Sequence, residues 1–167
     1  DITRGYATFA AGGKLCQPYT VTEIRRPNGD VIYDRAKTDT QREQVVPEEN
    51  VADLNSMLRL VVKSGTARAA DLGYAPQGGK TGTNQSYRDA WYIGFTAHNV
   101  TGVWVGNDDN SPTKNVTGGS IPASIWKDVM LVAHKGLAPE PLPGDDVDDF
   151  ELAPFVASAE SQQDSIY

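Results

Sequence analysis

The run DAWYIGFTA (residues 89–97) is followed, after His98-Asn99, by VTGVWVG (residues 100–106). In the first run Trp91, Ile93 and Phe95 alternate with Ala90, Gly94 and Thr96, which is the period of a strand. The short connection leaves no length for a crossover, so the two strands must pair antiparallel. That pairing places an antiparallel sheet at the centre of the fold and leaves the other segments to cover it.

Helical patterns supply the covering layers. Residues 2–11 place Ile2, Tyr6, Phe9 and Ala10 at helical spacing, and Gly12-Gly13 stops the pattern. A second helix is predicted from Pro47 in its first turn, with Glu48 and Glu49 at its positive end. Its apolar stripe is Val51, Leu54, Leu58 and Val61, and Lys63 and Gly65 close it. A last helix is predicted after a Ser120 cap, with Pro122 in its first turn and Ile125, Trp126, Val129, Met130 and Ala133 facing inward. Between the first two helices, YTVTEIRRPNGDVIYD reads as a hairpin turning at Asn28-Gly29. Residues 35–45 read as loop, and TARAADLGYAPQG as loop with a helical turn.

The 167 residues fit one domain. The net charge of −7 is unevenly spread: eight acids and no base follow Pro139, and residues 1–139 carry about +1. The expected division is therefore a folded part, 1–137, and an acidic, Pro-containing tail, 138–167, that is mostly disordered. No basic field points to nucleic acid. Cys16 is the only cysteine, which excludes a thiolate cluster and an internal disulfide. His98 and His134 stand apart in sequence and read as surface or packing residues, so neither metal nor cofactor is expected. No apolar run is long enough to cross a membrane, no leader is visible, and a start at Asp1 reads as a processed or truncated piece.

The stretch GGKTGT (residues 78–83) narrows the chemistry. A phosphate-cradling loop needs its first glycine at position 74, which is Tyr74, with Gly73 one residue early. It also needs a strand before and a helix after, and neither pattern is present. As a strand at a cleft edge, Lys80 offers a cation for a carboxylate and Thr81 a hydroxyl donor. Gly82 leaves room for a ligand backbone to add to the sheet. The tripeptide alone fits equally a glycine-rich strand start with a surface lysine. Trp91 likewise reads either as a cleft-wall aromatic or as core packing.

Several ordered motifs go further. The stretch from Gly65-Thr66-Ala67 through GGKTGT, Asp89-Ala90-Trp91-Tyr92-Ile93-Gly94 and Val103-Trp104-Val105-Gly106 resembles the transpeptidase domain of class A penicillin-binding proteins. RGYATFAAGG and TGGSIPASIWKDVM resemble the helices flanking it, so the resemblance spans residues 2–131. It implies an α+β fold: a partial serine transpeptidase/β-lactamase-like domain contributing three strands of a five-stranded antiparallel sheet. Lys80, Thr81 and Gly82 match the family's third active-site motif, and Thr83 the position whose backbone N–H completes an oxyanion hole. Asn84 departs from the Thr or Ser expected there and, with Trp91, is a candidate cleft wall.

What the resemblance implies is the substrate-binding half of a peptidoglycan D,D-transpeptidase. It would act by serine acyl transfer on stem peptides, be acylated by β-lactams, and work in the periplasm or cell envelope, anchored by a segment outside this chain. Such a serine needs a base, the Lys of Ser-x-x-Lys. Ser111-Pro112-Thr113-Lys114 matches formally, but it follows the Lys-Thr-Gly motif and lies in a loop pattern. No Ser-x-Asn is present. The chain is therefore expected to lack its nucleophile and to be inactive alone, its partner being the N-terminal part of the same protein. The alternatives are a non-catalytic scaffold module and a fragment of a β-lactamase-related hydrolase. The apolar faces of Trp91, Ile93, Phe95, Val103 and Val105 are expected to lack cover, leaving an exposed patch, a second fragment or a dimer.

Overall fold

The computed structural model describes residues 1–38 and 42–145. In chain order its elements are α1 (Ile2–Ala10), β1 (Glu23–Arg25), β2 (Val31–Asp34), a one-turn α2 (Arg35–Thr38) and α3 (Glu48–Lys63). Then come β3 (Gly78–Thr83), β4 (Asp89–Phe95), β5 (Val100–Gly106) and α4 (Ile121–Ala133). The sheet is antiparallel in the order β3-β4-β5, with Lys80 opposite Ile93 and Trp91 opposite Trp104. Helices pack on both of its faces, giving the expected α+β arrangement.

From Tyr92 to Phe95 both faces of β4 are covered, so Tyr92, Ile93, Gly94 and Phe95 are all buried. On one face Tyr92 meets Trp126 of α4 edge to face, ring centroids 5.3 Å apart, within a cluster that includes Val62, Ala67, Leu72, Ala123 and Met130. The Trp126 indole N–H donates to both Gly94 O and Thr101 O at 3.1 Å, pinning α4 across the β4–β5 ladder. Position 94 must be glycine for this, because a Cβ there would lie 2.8 Å from the indole. On the other face Phe95, Leu58 and Leu142 are buried together, with Tyr6, Phe9 and Leu54 against them.

Several elements differ from the sequence expectation. The hairpin turns through three residues: Arg26 N–H donates to Asp30 O, and only Gly29 takes a left-handed φ, +91°. Its register shifts at Ile24/Arg25, as a bulge adjacent to such a turn requires. Within 35–45, residues 35–38 form a helical turn because Asp34 Oδ1 accepts the Ala36 N–H and Thr38 bonds back to Asp34 O. Pro47 stands just ahead of α3 rather than in its first turn. The Ser120 hydroxyl turns back to Thr117 and does not cap α4.

The inward face of α4 is Pro122, Ala123, Trp126 and Met130, whereas Ile125, Val129 and Ala133 are exposed. The broad indole at Trp126 rotates the buried stripe away from them. Nor are Ile93 and Phe95 left without cover: they are 5% and 0% exposed. Tyr6 and Leu58 pack at that face, and Thr3 stands over Gly102 beside Ile93. Val103 packs half-buried against the Trp126 cluster. The sheet remains open at Trp91 and Trp104, and the larger exposed apolar stripe is Ile121, Ile125, Val129 and Val132 on α4.

The start of the expected tail is seated on the body. Leu142 is 3% exposed, Pro143 O accepts from Asn55 Nδ2 at 3.0 Å, and Arg59 pairs with the Asp145 carboxylate. One buried leucine and a paired carboxylate are enough to hold a short segment that its acidic composition leaves unassigned. Residues 146–167, the rest of that expectation, lie outside the described residues. The two histidines, distant in sequence, meet edge to face with centroids 5.9 Å apart. Buried His134 bonds to Met130 O and the Thr96 hydroxyl, and His98 to Ala138 O.

Candidate functional site

The motif strand β3 lies at the edge of the sheet, so one side of its backbone has no strand partner among the described residues. Which residues face that open edge follows from the register. Asn84 N–H donates to Asp89 O at 3.0 Å, and hydrogen-bonded pairs alternate along an antiparallel ladder. Gly82 and Lys80 therefore bond to β4, while the backbone groups of Thr81 and Thr83 point outward. The Lys80 ammonium, exposed at this edge, donates to Thr81 O at 3.0 Å and has no carboxylate partner among the described residues.

Side chains divide by face. Lys80 and Gly82 share a face with Ile93 and Trp91, and Thr81 and Thr83 share the α4 face with Tyr92. Trp91 stays half-buried, its ring 6.4 Å from that of Trp104 and beside Gly82. It is thus a cross-strand aromatic pair at the open end of the sheet rather than a core residue.

The glycines of β3 are not equivalent. A Cβ at Gly78 would lie 2.7 Å from the Phe95 ring, and one at Gly79 2.2 Å from the Tyr92 hydroxyl, so packing demands both. A Cβ at Gly82 meets only Trp91 Cβ at 3.4 Å, an ordinary contact. The fold itself has no need of a glycine there.

On the α4 side the loop Thr117–Gly119 lies flat on the motif. Gly118 N–H donates to the Thr83 hydroxyl at 3.0 Å, and a Cβ on Gly118 would stand 2.1 Å from Trp91 O. Gly119 packs on Thr66 O, and the Thr66 and Thr81 hydroxyls are 2.7 Å apart. Sequence reasoning assigned no role to Thr66, Gly118 or Gly119. All three sit inside the segments that carry the resemblance, but only their meeting in space connects them to Lys80–Thr83.

Asn84 closes the β3–β4 connection. Its Oδ1 accepts the N–H groups of Arg88 and Asp89 at 2.9 and 2.8 Å, and its Nδ2 donates to the Asp89 carboxylate. Ser86 and Tyr87 hold left-handed φ values of 62° and 54° in that connection. The Asn84 side chain is thus engaged with its own turn. Ser111 sits in a loop with its N–H on Asp109 Oδ1, not at a helix start. A further Ser-x-x-Lys spacing, Ser124 to Lys127, falls within α4, where the Ser124 hydroxyl bonds to Ser120 O at 3.2 Å and not to Lys127.

The fold and this edge define an α+β sheet carrying a Lys-Thr-Gly strand at its rim. The family model for the penicillin binding protein transpeptidase domain matches residues 1–131, and the chain belongs to that family. Penicillin-binding protein 1A of Aquifex aeolicus is 36% identical over 155 residues, covering 92% of this chain and 20% of that protein. Penicillin-binding protein 1B of Haemophilus influenzae is 36% identical over 132 residues, 78% of this chain and 16% of that protein. The chain thus spans about a fifth of the length of these relatives. Among solved structures, a penicillin-binding protein of Mycobacterium tuberculosis superposes with a TM-score of 0.73 at 28% identity, covering 86% of this chain and 40% of that one. Penicillin-binding protein A of the same organism, in an imipenem acyl-enzyme complex, superposes at 0.61 with 26% identity, covering 78% and 30%. No helix among the described residues is long and apolar enough to cross a membrane.

Proposed function

We propose that this chain is the substrate-binding wall of a peptidoglycan D,D-transpeptidase whose nucleophile lies elsewhere in the complete protein. The observation that carries this is the β3 edge: Thr81 and Thr83 present backbone groups outward beside a lysine without a carboxylate partner among the described residues. A peptide laid along it adds as a strand, its terminal carboxylate meeting the Lys80 ammonium and the Thr81 hydroxyl. Gly82 lets the ligand backbone approach, Trp91 flanks it, and the Thr83 N–H faces the carbonyl oxygen as it gains charge.

In the proposed reaction a serine oxygen outside this chain bonds to the penultimate D-alanine carbonyl carbon, its proton passing to a base. The peptide bond breaks, D-alanine leaves with a proton, and an acyl-enzyme remains. An amine of a second stem peptide then bonds to that carbon and releases the serine. β-Lactams acylate the same serine, with the ring amide as the broken bond. The reaction belongs to the cell envelope, where the stem peptides are.

The test is peptide mapping of the complete protein after acylation by benzylpenicillin. The adduct is expected on a serine outside residues 1–167, and the isolated chain is expected to remain unlabelled. An adduct on Ser111, Ser124 or any other serine of this chain overturns the proposal. A complete protein that never acylates favours a scaffold role.

A further inference from the structure

Thr66 lies outside the Lys80–Thr83 strand, in the turn after α3, yet its hydroxyl is 2.7 Å from that of Thr81. Its position is not accidental to a floppy surface loop. The next residue, Ala67, is fully buried and donates its N–H to Val61 O at 2.9 Å. On its other side the Thr66 carbonyl is packed so closely by Gly119 that a Cβ there would stand 1.9 Å away. Backbone contacts from α3 and from the loop leading into α4 thus present the Thr66 hydroxyl to Thr81.

A hydroxyl has one proton to donate, whereas a carboxylate only accepts. For Thr81 to serve a carboxylate, its proton must face the ligand, which leaves its lone pairs to accept from a neighbour. The Thr66 hydroxyl, at 2.7 Å, is within reach to be that neighbour. We infer that Thr66 is a positioning residue for carboxylate recognition: it donates to Thr81 and turns the Thr81 proton toward the open edge. Chained hydrogen bonds polarise one another, so the Thr81–carboxylate bond is also strengthened. This inference rests on the reading of the β3 edge as the carboxylate site.

The experiment uses the complete protein and compares acylation by a penicillin with acylation by its carboxylate methyl ester. Thr66→Val is expected to slow acylation by the free acid about fivefold, the size of one neutral hydrogen bond, and to leave the ester rate unchanged. Thr66→Ser, which keeps the hydroxyl, is expected to restore the free-acid rate. In a Thr81→Val background, Thr66→Val is expected to add no further loss, because the two hydroxyls act as one unit. Equal slowing of acid and ester, or failure of Thr66→Ser to restore the rate, marks a structural effect and overturns the inference. Lys80→Ala separates the two layers. If it slows the free acid while Thr66→Val behaves as the parent, the Thr66 inference alone falls. If Lys80→Ala is silent, the reading of the edge falls and this inference with it.

Discussion

Gly82 stands opposite Trp91 in the β3–β4 ladder, and a methyl group added to it would meet only Trp91 Cβ, at an ordinary 3.4 Å. Its neighbours Gly78 and Gly79 differ, since rings of the sheet already occupy the space a side chain would need. A glycine that packing does not require, set between Lys80 and the outward-facing Thr83, makes sense if a ligand backbone uses the space.

Gly82→Ala is therefore expected to leave stability within about 0.5 kcal/mol of the parent while slowing β-lactam acylation of the complete protein at least about tenfold. Gly79→Ala is expected to do the reverse in origin, destabilising by about 1–3 kcal/mol through overpacking against Tyr92. Thermal melts beside acylation rates distinguish them. A Gly82→Ala protein that acylates normally removes the ligand-approach argument.

Tyr92 carries a fully buried hydroxyl with no hydrogen-bond partner among the described residues. Burial first, and the Asp71 carboxylate second, raise its phenol above the ordinary tyrosine range. With the folded value above the unfolded one, its contribution to stability is complete below about pH 10 and is lost as pH rises beyond it. Tyr92→Phe removes an unsatisfied polar atom and keeps the ring, so it is expected to be neutral or stabilising by about 1 kcal/mol. It should also flatten the loss of stability above about pH 10. Denaturant titrations at neutral and alkaline pH check both, and a large loss at neutral pH contradicts the account.

The segment ending at Asp145 is expected to contribute to the body. Asp145→Ala leaves Arg59 without its partner and is expected to cost about 1–3 kcal/mol, more than an exposed ion pair, because the Asp145 side chain is 3% exposed. Leu142→Ala opens the pocket shared with Leu58 and Phe95 and is expected to cost about 2–4 kcal/mol. Urea unfolding of the parent and the two variants measures these values; stabilities equal to the parent would show the segment to be passively seated.

The sheet was legible because Trp91, Ile93 and Phe95 keep strand period and His98-Asn99 allows only an antiparallel return. The Lys80–Thr83 edge was legible because its neighbouring motifs fall in order. The facing of α4 was not. Its polar residues Ser124, Lys127 and Asp128 fill only one sector and apolar residues the rest, so periodicity alone cannot choose between Ile125 and Trp126 as the inward residue; contact with Gly94 decides. Nor could spacing reveal Thr66 beside Thr81, since fifteen residues separate them and their meeting depends on how α3 and the Gly118-Gly119 loop lie against β3. The role of Asn84 was hidden by the left-handed residues Ser86 and Tyr87, which bring Arg88 and Asp89 back onto its amide.

The most direct measurement is the second-order rate of acylation of the complete protein by benzylpenicillin, for the parent and for Lys80→Ala. Loss of a charged partner to the carboxylate is expected to lower the rate by about 10- to 100-fold with an unchanged melting temperature. An unchanged rate would contradict the assignment of the β3 edge as the carboxylate-binding wall.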